Sequence, residues 1–138
     1  MSLSSFSLEG KKALVVGARR NMGKGFALGL AEAGADVAVT DVNLESGQLQ
    51  DVADEIQKMG RNSLALKADI SSQEEVKKLV ESVVKEFGTI DILMNVAVMY
   101  HPKSVVDLDE ESWDKLTDVN LKLSLIHISE PTRRYAIW

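Results

Sequence analysis

The stretch Lys12-Ala13-Leu14-Val15-Val16-Gly17-Ala18-Arg19-Arg20-Asn21-Met22-Gly23-Lys24-Gly25 decides how this chain is read. An apolar run of β type meets a glycine-bearing turn, and a helical pattern follows from about Met22 to Ala33. A turn joining a buried strand to a helix start aims backbone N–H groups and the positive helix end at one point, which is an anion site. Two common phosphate motifs do not fit. A GxGxxG read from Gly23 and Gly25 needs glycine at Leu28, and Gly29 comes one place late. A P-loop needs a hydroxyl residue after its Gly-Lys, whereas Gly25 follows Lys24.

Downstream the same alternation repeats. Val37–Thr40 reads as a second strand ending at Asp41, and a helix from about Leu44 to Met59 carries Leu49, Val52, Ala53 and Ile56 on one face. Ser63–Ala68 reads as a third strand. Ser72-Gln73-Glu74-Glu75 reads as a reciprocal capping box before a helix bearing Val76, Leu79, Val80, Val83, Val84 and Phe87. Gly34, Gly60 and Gly88 stand where helices end. Ile90–Asn95 reads as a fourth strand, and Asp109 as the cap of a last helix with Trp113, Leu116 and Val119. The β-α-β-α-β-α-β order implies an α/β, doubly wound parallel sheet with right-handed crossovers. Ligand then binds beyond the carboxyl ends of the strands, at Val16, Asp41, Asp69 and Asn95, where the polar and glycine residues gather.

Composition narrows the class. The 138 residues fit one domain, with 45% hydrophobic and 27% charged residues. The net charge of −5 gives no reason to expect nucleic-acid or membrane binding. No apolar window is long enough for a transmembrane span. The start lacks the apolar core of a secretory signal. Zero cysteines exclude disulfides and fit a cytoplasmic protein. His101 and His127 lack partners at ligand spacing, so no metal site is expected.

The spacing Val16-Gly17-x-x-x-Asn21-x-Gly23 resembles the TGxxxGxG turn of short-chain dehydrogenases/reductases. Val16 replaces the usual Thr and Asn21 the middle glycine. Asparagine is the best non-glycine residue for a left-handed conformation, so the turn can survive. The resemblance runs from residue 6 to about 122 and implies a Rossmann-type sheet, ordered 3-2-1-4, that binds NAD(P). By that resemblance Gly17, Arg20, Asn21, Met22 and Gly23 face the cofactor phosphates. Asp41 lies 18 residues past Gly23, where an acidic group hydrogen-bonds the adenosine ribose. It repels a 2′-phosphate, which favours NAD over NADP. Arg20 argues the other way, unless it pairs with Asp41. Asp69-Ile70 resembles the pair that holds the adenine. Asn95 and Ala97 match two positions of the family's NNAG stretch, while Val96 and Val98 replace Asn and Gly. Val98 is unsuited to positive φ.

Asp118-Val119-Asn120 resembles the active-site Asn helix, in which Asn120 would help hold a water in a proton relay. The family's catalytic Ser, Tyr and Lys do not appear. Tyr100 and Lys103 are misplaced and one residue too close, and Tyr135 has no Lys after it. Leu123-Ser-Leu-Ile-His-Ile-Ser-Glu-Pro-Thr-Arg133 is the direct translation of a transposase-type sequencing adapter. The sequence therefore predicts a Rossmann half-domain over 1–122 and a non-native tail over 123–138. The sheet would stop after the fourth strand and its helix, leaving the fourth strand an unprotected edge. The whole protein is expected to be a homo-oligomeric oxidoreductase acting on a small alcohol or ketone. The alternatives are a non-catalytic dinucleotide-binding module and a relative with a degraded cofactor site.

Overall fold

The computed structural model describes residues 6–100, 102 and 104–122. Strand β1 (Lys12–Val16) leads to helix α1 (Asn21–Glu32), then β2 (Asp36–Asp41), α2 (Gln48–Lys58), β3 (Ser63–Lys67), α3 (Gln73–Phe87) and β4 (Ile92–Asn95). A 3-10 turn (Val105–Asp107), helix α4 (Glu110–Thr117) and a π-helical turn (Asp118–Lys122) follow. The strands form one sheet ordered β3-β2-β1-β4, and every pairing is parallel. This is the expected order, and among the described residues β4 pairs only with β1.

Alternation along the strands explains the two layers. Ala13, Val15, Val37 and Val39 face α1 and α2, closing on Ala27, Ala31, Leu49, Val52 and Ile56. Leu14, Val16 and Ala38 face the other way, onto Val76, Leu79 and Val83 of α3. The central strands are buried on both faces, so β1 and β2 read as near-continuous apolar runs. Each such Leu, Ile or Val contributes about 1.5–3 kcal/mol when fully buried.

Three local expectations are corrected. Helix α2 begins at Gln48, not near Leu44, because Asn43 Oδ1 accepts from the Ser46 N–H at 3.2 Å. The Leu44 carbonyl accepts from Gly47 N–H at 3.1 Å. Gly47, at φ 73°, then turns the chain into the helix. Strand β4 begins at Ile92, not Ile90, since Asp91 closes the pairing by exchanging bonds with the Lys12 backbone. The capping box forms by half. Ser72 Oγ accepts from Glu75 N–H at 3.4 Å, but the Glu75 carboxylate accepts from Asp69 N–H at 2.7 Å. The Ser72 N–H already has an acceptor, the Asp69 carbonyl at 3.0 Å. The tail from Leu123 lies outside the described residues.

A cluster at the opposite end of the sheet fixes the strand starts. Lys12 Nζ pairs with Asp36 and lies 5.8 Å from the centre of the Phe87 ring. Asp36 also accepts from the Asn62 backbone and side chain. Burial opposes the charge on Asp36, yet Lys12 and the Asn62 donors outweigh it and hold the carboxyl below its ordinary pKa.

Candidate cofactor-binding site

The β1–α1 turn packs backbone on backbone. A Cβ at Gly23 would lie 2.0 Å from the Gly17 carbonyl oxygen, and one at Gly17 would lie 2.7 Å from Ala97 N. Neither contact can be relieved by a rotamer, so these two positions exclude any side chain. The turn is tied to β2 because the Thr40 carbonyl accepts from both Gly17 N–H (2.8 Å) and Ala18 N–H (3.1 Å). It meets β4 where Val96 N–H donates to the Val16 carbonyl at 2.9 Å. Asn21 sits at φ 50°, the only non-glycine with positive φ among the described residues. It takes the left-handed conformation expected of a glycine substitute.

Helix α1 starts without a side-chain cap and without an acidic residue in its first turn. By contrast Ser72 caps α3 and Asp109 caps α4. The first N–H groups of α1, at the carboxyl end of β1, thus have no side-chain cap among the described residues. Met22, in this first turn, is exposed, whereas Gly23 is buried.

Asp41 closes β2, and its partner is Arg19 rather than Arg20. Arg19 Nε lies 3.4 Å from Asp41 Oδ1, with the two side chains 18% and 14% exposed. Arg19 Nη1 donates to Gln48 Oε1 at 2.9 Å. Arg20 is exposed, and among the described residues its guanidinium has no partner. The physical reason is the extended backbone of Arg20, at φ −155° and ψ 175°. Neighbouring side chains along an extended segment point to opposite sides. Spacing alone could not choose between the two arginines. Beside the pair opens a cleft of about 470 Å³, lined by Arg19, Arg20, Lys24 and Lys58 together with carboxylates of α2.

Asp69 follows β3 with its Oδ1 accepting from Ser71 N–H (2.8 Å) and Ser71 Oγ–H (2.6 Å). Ile70 is buried against the α3 face. Asn95 ends β4 opposite Val16, and its Oδ1 accepts from Ala97 N–H at 3.2 Å. Val98 is exposed and keeps a negative φ, so the chain after β4 takes a path that a glycine there need not follow. Asn120 lies in the π-helical turn. Its amide grips the Met99 backbone from both sides, accepting from N–H at 2.9 Å and donating to C=O at 2.8 Å. That clasp, like the bond from Asp69 to Glu75, had no signal in the sequence. Single π turns inside helices often mark functional positions.

A family model described as short chain dehydrogenase matches residues 11–133. The chain belongs to the short-chain dehydrogenase family. That match runs past Leu123, the expected start of a non-native tail. A 2-dehydro-3-deoxy-D-gluconate 5-dehydrogenase of Pseudoalteromonas atlantica is 40% identical over 124 residues, covering 90% of this chain and 48% of the relative. Among solved structures, a dehydrogenase/reductase from Sinorhizobium meliloti 1021 superposes with a TM-score of 0.89 at 32% identity, covering 95% of this chain and 52% of that one. A short chain dehydrogenase from Burkholderia cenocepacia, solved in complex with NADP, gives 0.85 at 35% identity, covering 92% and 51%. The chain spans about half the length of the relatives it matches. Its sheet and crossover helices are those of a short-chain dehydrogenase. No helix among the described residues is long and apolar enough to cross a membrane.

Proposed function

We propose that this chain is the cofactor-binding half of an NAD(P)-dependent oxidoreductase acting on a small alcohol or ketone. The carrying observation is the backbone cradle at Gly17 and Gly23, which a Cβ would fill, set against the uncapped start of α1. A pyrophosphate fits there, because small residues admit it and N–H groups remain to bind it. The turn from Gly17 through Arg20, Asn21, Met22 and Gly23 holds the phosphates. Asp41 receives the ribose hydroxyls, Asp69 and Ile70 flank the adenine, and Asn95 and Ala97 shape the floor beneath the nicotinamide half. The bound nicotinamide supplies or accepts the hydride. Asp41 favours NAD, since its carboxylate accepts hydroxyl donors and opposes a third phosphate.

The oxidoreductase activity belongs to the longer protein, in which Ser, Tyr and Lys complete the proton transfer and Asn120 holds its turn in place beside them. A cytoplasmic, homo-oligomeric enzyme is the setting we propose, with residues 1–122 as the native half-domain. Titration of the expressed chain with NADH and NADPH, followed by nicotinamide fluorescence, tests the binding reading. A saturable signal with either supports it, and none with both overturns it in favour of a degraded site. For the activity, the genomic reading frame beyond residue 122 should encode Ser and Tyr-x-x-x-Lys. A native frame without them leaves only a binding module.

A further inference from the structure

Arg19 is placed to alter what Asp41 does. It lies half-buried between the end of β2 and the start of α2, held by Gln48 through one of its five N–H donors. Its Nε sits beside Asp41 without a hydrogen bond to it, and no other group among the described residues satisfies that buried N–H. The arrangement is an ion pair of loose geometry, with donors left over. A lone carboxylate at this place would repel the dianionic 2′-phosphate of NADP and accept the ribose hydroxyls of NAD. Paired with a guanidinium at this range, the same carboxylate presents little net charge. The adjoining cleft, which Asp51, Asp54 and Glu55 also line, adds Arg20, whose guanidinium has no partner among the described residues, and Lys58.

We infer that Arg19 is a specificity-determining residue: by neutralising Asp41 it lets one site take both NAD and NADP. The inference rests on the dinucleotide reading above. It makes Asp41 a weak discriminator here, so that NAD is favoured only modestly.

The test is equilibrium binding of NADH and NADPH to the full chain, to Arg19→Ala, Arg19→Lys, Asp41→Asn and the Arg19→Ala/Asp41→Asn double variant. In the parent chain the two dissociation constants should lie within about tenfold of each other. Arg19→Ala should raise the NADPH-to-NADH ratio at least about tenfold, chiefly by weakening NADPH. Arg19→Lys keeps the charge and should hold the ratio within about threefold of the parent. The double variant should return the ratio toward the parent value, because the uncompensated carboxylate is gone.

Equal weakening of both cofactors by Arg19→Ala would mean a merely structural role and overturn the inference. So would an unchanged ratio, or a double variant no better than Arg19→Ala. If Arg19→Ala does not fold, Arg19→Gln, which can keep a hydrogen bond to Gln48 without the charge, decides in its place by the same ratio. A parent chain that binds neither cofactor sinks the proposed function and this inference with it. A parent chain that binds NADH, with a ratio indifferent to Arg19, sinks this inference alone.

Discussion

Replacing Gly23 by alanine puts one methyl group where the structure has a carbonyl oxygen. The new Cβ would stand 2.0 Å from Gly17 O, 2.8 Å from Gly17 C and 3.0 Å from Ala18 Cα. All three are backbone atoms, so the turn itself must open by more than about 1 Å to reach ordinary contact. It has little room to do so. Gly17 N–H and Ala18 N–H are bonded to the Thr40 carbonyl, and Gly17 already lies against the Val96–Ala97 backbone. Overpacking of this kind costs about 1–3 kcal/mol. Stretching or losing the two turn bonds adds about 1 kcal/mol each. Gly23→Ala should therefore destabilise the chain by about 3–5 kcal/mol, or roughly 10–20 °C in Tm.

Gly25→Ala and Gly29→Ala are the controls. Both sit in the same helix with open space where a Cβ would go. Each should stabilise by about 0.5–1 kcal/mol, since alanine is the better helix former. Urea unfolding followed by far-UV circular dichroism reads all three. A Gly23→Ala variant as stable as Gly25→Ala would refute the claim that the turn is closed on itself, and with it the cradle on which cofactor binding rests.

Two further outcomes follow from polar groups in and around the sheet. Thr40 is fully buried and its hydroxyl has no hydrogen-bond partner among the described residues, so Thr40→Val should stabilise by about 1 kcal/mol by removing a desolvated donor. Loss of stability in the same urea assay would show that the hydroxyl is satisfied after all. Asp36 carries a lowered pKa in the folded chain, so it contributes stability above about pH 4 that is lost as pH falls through its folded value. Asp36→Asn should cost about 1–2 kcal/mol at pH 7, with the gap to the parent closing as pH falls below the ordinary carboxylate range of about 4 and through the lowered folded value. A gap constant through that fall in pH would contradict the assignment.

Sheet order and crossover pattern were legible because β1 and β2 are apolar on both faces and the helices between them keep a single apolar stripe. Asn21 was legible for a different reason: few residues other than glycine tolerate that backbone region. The start of α2 was hidden because Asn43 and Gly47 build a turn from side-chain and backbone bonds that leave no trace in periodicity. The Asp41 partner was hidden by two adjacent arginines whose directions depend on one extended residue. The target of Glu75 depended on the Asp69 turn having already taken up the Ser72 N–H. In each case the missing information was a competition between nearby donors and acceptors, decided by geometry that spacing does not encode.

The Thr40 carbonyl, shared between the first two residues of the glycine turn, bears on how such a scaffold can be re-engineered. The carboxylate proposed for the ribose belongs to the very next residue, so the diphosphate and the ribose of an adenosine diphosphate would be governed by groups one peptide apart. A graft of the β2–α2 loop from another protein should therefore take its junction after Asp41. A junction cut through Thr40 would disturb the phosphate grip together with the sugar contact, and a change meant only for cofactor preference would be paid in overall affinity.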